Sequence, residues 1–249
     1  YNFAVALKRE RVFAGINTQL RNTPSLDFNL FTADLAFSAE MGPLNLNTEI
    51  VGQFGSGDLD TGLNEVRISA LGGILGLGID VQPWSASLDA GFATGDGDTT
   101  DEKIKTFSFD RDYNLGLVMF SLPMPVLAAA SPNELNGGRN YSFAQSGDSV
   151  SNAVFINAQL GRELIENLDA NLQFVAARTA KLPETEQVRR GYGAELNLGL
   201  SYTPFDQAEL VATGALFLPG SRFTEFEDEE YKDFDAPVFG MQLAGTVRF

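Results

Sequence analysis

Over residues 237–249 apolar and small or polar side chains alternate almost without a break. Phe239, Met241, Leu243, Gly245, Val247 and Phe249 fall on one face, and Val238, Gly240, Gln242, Ala244, Thr246 and Arg248 on the other. Successive side chains of an extended chain point to opposite sides, so this is a strand with one apolar and one mostly small or polar face. The final residue is an aromatic on the apolar face. Termini usually fray, and a terminal Phe gains little in water. A lipid-facing position would give it a place.

The same period of two recurs along the chain. Phe3, Val5 and Leu7 alternate with small and polar residues, as do Val12, Ala14, Ile16 and Leu20. Phe31 to Ala39 opposes Thr32, Asp34, Ser38 and Glu40, and Leu44 to Phe54 opposes Asn45, Asn47, Glu49 and Gln53. Between Val66 and Val81 the phase changes, and Gly72, Gly73, Gly76 and Gly78 predict a bulge that shifts the register. This reading turns Arg67 to the polar side. Those glycines lack the order and following helix of a nucleotide-binding loop. Further runs cover 86–92, 154–160, 168–176, 192–202 and 208–216, with Tyr192, Ala194, Leu196, Leu198, Leu200 and Tyr202 on one apolar face. The alternating runs amount to about eleven strands, an odd number where bacterial single-chain barrels have an even one. An N-terminus that opens inside an alternating run is therefore expected to be incomplete.

The connections sort by length. Residues 41–43, 82–84, 164–167 and 203–206 are short, whereas 55–64, 95–150, 181–190 and 218–236 are long and polar. Short turns on one rim and long loops on the other are the habit of a transmembrane barrel, with the long loops outside the cell. No window approaches about 18 uninterrupted apolar residues, so the chain crosses no membrane as a helix. Barrel strands need only about 9–11 alternating residues, and the mean hydropathy of -0.06 suits a protein apolar outside and polar inside. The expected fold is all-β: a single transmembrane antiparallel up-and-down barrel over 1–249, about 12 strands, with 95–150 as one long extracellular or lumen-inserted loop and 219–236 as an acidic extracellular loop.

Composition removes several function classes. The 249 residues include no Cys and no His, which excludes disulfides, thiolate sites and Ser-His-Asp or Cys-His catalysis. A formal net charge of -16 argues against nucleic acid as a partner. No paired carboxylates show a catalytic spacing, and no enzyme is expected.

Certain segments resemble a known family: Phe92-Ala-Thr-Gly-Asp-Gly-Asp98, 109–120, Gly191-Tyr-Gly-Ala-Glu-Leu196 and Phe217-Leu-Pro-Gly220. Together they look like the alginate-export-like outer-membrane porins of Gram-negative bacteria, mainly over 85–249, and the last strand resembles the C-terminal signal of bacterial outer-membrane barrels. The resemblance implies a channel in the bacterial outer membrane. The family's best-known member passes a polyanionic sugar through a basic pore, and this chain departs from that. Its expected inward set holds Asp34, Glu40, Glu49, Glu65, Asp89, Asp169, Glu195 and Glu209 against Lys8, Arg67 and Arg248.

The pore-lining candidates are accordingly Asp34, Glu49, Arg67, Asp89, Asp169, Glu195, Glu209 and Arg248. Residues 107–122 are too apolar for water, and as a wall strand they would swap the rims of every later turn. They are expected to fold into the barrel mouth as a constriction, with Phe107, Tyr113 and Phe120 packed and Asp110, Arg111 and Asp112 paired. A hairpin of two extra wall strands is the rival reading. Asp96, Asp98, Asp101 and Glu102 are candidate calcium ligands on a glycine-bearing turn, though without EF-hand spacing; a solvated acidic loop is the alternative. No other cofactor is expected. The partners expected are the lipid bilayer and small polar solutes or ions, with cations preferred. A plugged barrel docking an extracellular or envelope protein is the alternative function.

Overall fold

The structure, a computed structural model, describes residues 1–24, 27–57, 66–97, 101–110, 112–120, 149–182, 190–205, 207–221 and 236–248. Twelve strands form one sheet: β1 Asn2–Arg9, β2 Val12–Thr23, β3 Phe28–Met41, β4 Leu44–Gly57, β5 Val66–Val81, β6 Trp84–Ala93, β7 Lys103–Ile104, β8 Ala153–Ile165, β9 Leu168–Thr179, β10 Gly191–Phe205, β11 Ala208–Pro219 and β12 Val238–Val247. Eleven of them form an antiparallel wall in chain order, and β7 pairs in parallel with the start of β5. Most wall strands run 10–16 residues, enough to span a bilayer when tilted. Among the described residues β1 and β12 each have one neighbour, so the sheet is not closed.

Only two residues separate β1 from β2, β3 from β4, β5 from β6, β8 from β9 and β10 from β11, and these short connections share one rim. The long connections all leave the other rim, as the loop lengths predict. The twelfth strand is thus a short strand inside the 95–150 insertion, not a wall strand. β6 pairs directly with β8 from Trp84↔Arg162 to Ala93↔Ala153, so no described part of the insertion comes between these two strands.

The alternation yields two unlike faces. Leu196, Leu198, Leu200, Leu210 and Leu243 are exposed on the outer face, with Leu198 58% and Leu243 72% accessible. A continuous apolar surface of this kind is untenable in water and suits lipid. Glu195, Asn197, Phe155, Val175 and Phe217 point the other way and are buried. The large buried side chains collect there, where 115–120 packs against β8–β11.

Two details of register differ from expectation. The β4–β5 pairing runs without a shift from Leu44↔Ile79 to Gly57↔Val66, so β5 has no bulge. Its inner glycines provide space instead. A Cβ at Gly72 would collide with the Phe107 ring, one at Gly76 with the side chains of Asn47 and Asp89, and one at Gly78 with Asn45. With no bulge, Arg67 shares the parity of Leu71 and Leu75 and pairs with Ser56 on the outer face near the long-loop rim. It is not pore-lining. Conversely, β10 has a bulge where none was expected. The β9 pairing slips between Gly191 and Gly193, and Gly193 has φ +124°, which glycine tolerates. The extra residue turns Tyr192 from the outer face to a buried inner position.

Candidate functional site in the barrel interior

The inner face from β6 to β10 carries a chain of polar side chains across neighbouring strands. Asn157 donates to Asp89 at 3.3 Å, Gln173 donates to Asn157 at 3.0 Å, and Asn197 donates to the Gln173 carbonyl at 2.8 Å. Gln173 also donates to the backbone carbonyl of Leu115 at 3.0 Å, which ties the chain to the inserted segment.

Glu195 is the centre of this region. On either side its inner neighbours are Val175 and Phe217, both apolar, and its side chain is 1% accessible. A carboxylate so placed needs strong partners. The inserted segment supplies them: Leu117 N–H donates at 2.6 Å, Val118 N–H at 3.1 and 3.2 Å to the two oxygens, and Met119 N–H at 2.5 Å. Successive N–H groups converging on one anion form a nest. Gly116 completes the fit, since a Cβ there would meet the Glu195 carboxylate at 2.7–2.8 Å. Leu115, Met119 and Phe120 are then almost wholly buried, and Phe120 packs edge-on against Tyr192 with centroids 5.2 Å apart. The Tyr192 hydroxyl donates to the Asn152 carbonyl at 3.2 Å, and Asn152 in turn bonds Lys181 through both ends of its side-chain amide. Tyr192 and Asn152 were missed in the sequence; glycines at 191 and 193 are the signal that would have exposed the first.

Toward β4 and β5 the inserted segment is aromatic. Phe109 stacks on Tyr113 at 5.0 Å, and Phe107 meets Phe109 edge-on at 5.3 Å. Burial raises the Tyr113 hydroxyl above its ordinary range, and the Asp89 carboxylate adds to the effect. Asp110 and Asp112 are exposed, and the Asp110 carboxylate accepts the Asp112 N–H at 2.9 Å; neither has an ion pair among the described residues. Arg111 lies outside the described residues, as do 121–122. A cavity of about 660 Å³ opens between this aromatic cluster and β4–β5, with Glu49 and Asp110 on its walls.

The remaining wall candidates separate clearly. Asp34, Glu49, Asp89, Asp169 and Glu209 hold inner positions, as do Glu40, Asp80 and Glu163. Asp34 has a buried oxygen with no hydrogen-bond partner, and Glu209 accepts from Ser201 at 3.0 Å. Arg248 follows the end of β12, where its N–H donates to the Gln207 carbonyl. Lys8 and Arg21 are the inner bases of β1 and β2; no Lys or Arg has an inner position on any wall strand from β3 to β12. Glu65 lies outside the described residues.

Among the described residues, the acidic turn is drawn together by a lysine. Lys105 stands between Asp96 and Asp101, 3.8 and 3.2 Å from their carboxylates, and backbone N–H groups of Lys105 and Lys103 also bond them. An ammonium thus occupies the ground between the two carboxylates, and the Glu102 carbonyl is taken by Arg67 N–H. Among the described residues no three acids converge as metal ligands. Asp98 lies outside them, as does most of the 219–236 loop.

Solved structures with a similar fold are outer-membrane porins. OccK5 (OpdH) of Pseudomonas aeruginosa aligns over 100% of this chain and 58% of its own, at a TM-score of 0.50 and 13% identity. OccK11 (OpdR) of the same organism aligns over 100% and 58%, at 0.53 and 8%. The NanC porin aligns over 100% and 97%, at 0.43 and 6%. The chain therefore spans little more than half the length of the OccK structures. No protein-family model matches it, and no curated protein is similar to it in sequence. The fold is that of bacterial outer-membrane β-barrels, and its apolar outer belt belongs in that membrane. The resemblance to alginate-export porins is corrected: the structural likeness is to OccK porins, and no family match supports it. The segments that suggested it are barrel features, namely a strand end, a bulged strand start and an inserted loop.

Proposed function

We propose that this chain forms the wall of an outer-membrane channel for small polar solutes and ions, with cations preferred, and that residues 107–120 narrow its path. One observation carries this reading. The inner face of β3–β6 bears Asp34, Glu40, Glu49, Asp80 and Asp89 and no base. A charged interior walled by low-dielectric material focuses its field and concentrates counterions. The neighbouring porin folds support a channel in general. Moving Arg67 to the outer face removes one of the few bases expected inside and strengthens the cationic preference.

The test is reversal potential in planar bilayers across a KCl gradient. Cation selectivity that fades as salt rises is expected, since exposed charges are screened within about 10 Å at 0.1 M. Anion selectivity would sink the reading. The docked insertion favours a second reading, a plugged barrel that serves as a scaffold. Bilayers that stay electrically silent with inserted, folded protein would support it instead.

A further inference from the structure

The cavity between β4–β5 and the inserted aromatic cluster has a chemistry that the channel reading leaves unused. Its volume, about 660 Å³, lies in the range of sites for small organic ligands. One side is apolar and aromatic: Phe107, Phe109 and Tyr113 line it together with Val51 and Ile74. Glu49 stands on the opposite side, exposed to the cavity, with no ion pair or hydrogen bond to any described residue. Asp34 is its diagonal neighbour, because Asp34 pairs with Val51 two residues along β4. Diagonal cross-strand positions lie about 7–8 Å apart, close enough for the two carboxylates to repel. The buried Asp34 oxygen also lacks a partner. Nothing basic faces them from β3, β4, β5 or β6.

The cavity is held in shape. Phe107 is seated where β5 has Gly72, whose missing Cβ makes the room, and is 4% accessible. Phe109 is clamped between Phe107 and Tyr113, and both Phe109 and Tyr113 also contact Phe155 at 6.0 Å. An inorganic cation would be drawn to the carboxylates but gains nothing from three aromatic rings. A neutral aromatic would gain from the rings but not from the charge. A ligand that joins the two uses the whole cavity, since aromatic rings attract organic cations and their apolar bodies alike.

We propose that this cavity is a binding subsite for an organic monocation, an ammonium or guanidinium group carried on an aromatic or apolar body, with Glu49 as its counter-ion. The proposal deepens the channel reading by naming a class of solute that would pause along the path, but the site itself requires no flux.

Calorimetric titration of the full-length protein in detergent micelles tests it, with benzylammonium, benzyl alcohol and benzoate as matched probes. Saturable binding of benzylammonium is expected, with both other probes weaker by about tenfold or more, between the worth of an exposed and a buried ion pair. Glu49→Gln should weaken benzylammonium by a similar factor, and Phe109→Leu by about threefold to tenfold through the lost ring. Each variant is first checked for heat-modifiable mobility; if Glu49→Gln does not fold, the three probes on the unaltered protein decide alone. Equal affinity for all three probes, or unchanged benzylammonium binding in folded Glu49→Gln, overturns the proposal. Calorimetry needs no current, so the two readings fail separately. Binding without conductance refutes the channel and keeps the subsite, and conductance without binding does the reverse.

Discussion

The inner faces of β3–β5 and of β8–β11 are written in the same alternating pattern, yet one is largely bare, touched by Phe107 at Gly72 and otherwise facing an open cavity, and the other is filled. On β3–β5, Asp34, Glu40 and Glu49 face the interior, and no described residue forms an ion pair with any of them. On β8–β11, Phe155, Val175, Ala177 and Phe217 make a dry surface under Leu115, Met119 and Phe120. Of the inner carboxylates in that second region, Glu195 is the one saturated by backbone donors from 117–119, while Glu163, Asp169 and Glu209 lie toward the short-turn rim. An inner acid therefore has two fates. Where backbone donors of the insertion reach it, it becomes a structural anchor; where they do not, as at Glu49, it remains a charge that the path can use.

The largest expected effect breaks the filled half. Glu195→Ala leaves the Leu117, Val118 and Met119 N–H groups without their acceptor in a dry setting. Each buried donor left unsatisfied costs about 1–3 kcal/mol, so three of them cost at least about 3 kcal/mol. The wall survives, since β9–β10–β11 pairing does not pass through the insertion, so the loss falls on docking. Glu195→Gln keeps the shape and one acceptor and should cost less, about 1–3 kcal/mol. Limited proteolysis of folded protein in liposomes reads docking directly: cleavage within 107–120 should rise in the order wild type, Gln, Ala. Identical digestion patterns for all three would mean that Glu195 anchors nothing.

Much of this architecture was legible in the sequence, and the failures have physical causes. The alternation at 192–202 and 237–249 and the sorting of loops by length are local properties, and they carried strand faces and rim order. The inward direction of Glu195 was legible for the same reason. Its partner was not, because the bonds to 117–119 cross 76–78 residues and use backbone donors that any sequence has. Glycines misled in both directions. On β5 they suggest a bulge, which would turn Arg67 inward, but instead make room for Phe107, Asn47 and Asn45. At Gly193 a real bulge passed unnoticed and hid Tyr192. Glycine leaves the same mark whether it serves conformation or space, and only the neighbour across the sheet tells which.

The next effect concerns what both halves share, the outer belt. Leu198 lies at mid-strand in β10, opposite Leu172 on β9 and Gly214 on β11, and is exposed outward. An Arg there would sit near the bilayer midplane, and Leu198→Arg should destabilise by about 2–4 kcal/mol. Equilibrium urea unfolding in phospholipid vesicles measures it. The same change at Leu210, nearer the short-turn rim, should cost less because the penalty falls toward the interface. Equal costs at the two positions would contradict the depth assigned to β10 and β11.

The smallest effect lies at the seam between the two halves. β6 and β8 are neighbours in the wall although the whole insertion separates them in sequence, and Trp84 pairs with Arg162 at their short-turn end. The Arg162 guanidinium sits 4.7 Å from the centre of the indole ring. Both side chains are on the outer face at the level where a barrel carries its interfacial aromatics, so the ring is at the edge of lipid while the charge stays near water. An exposed cation–π pair of this kind is worth about 0.5–1 kcal/mol, so Arg162→Ala should lower stability by that amount and Arg162→Lys by less. Trp84 is the sole tryptophan of the chain, which makes its fluorescence a direct reporter. In Arg162→Ala the indole loses the contact that holds it at the rim, and its quenching by lipids brominated along the acyl chain should change while the inner-face probes of docking do not. Proteolysis within 107–120 altered by Arg162→Ala would show that the seam and the insertion are coupled, and the division into a bare and a filled half would have to be redrawn around β6.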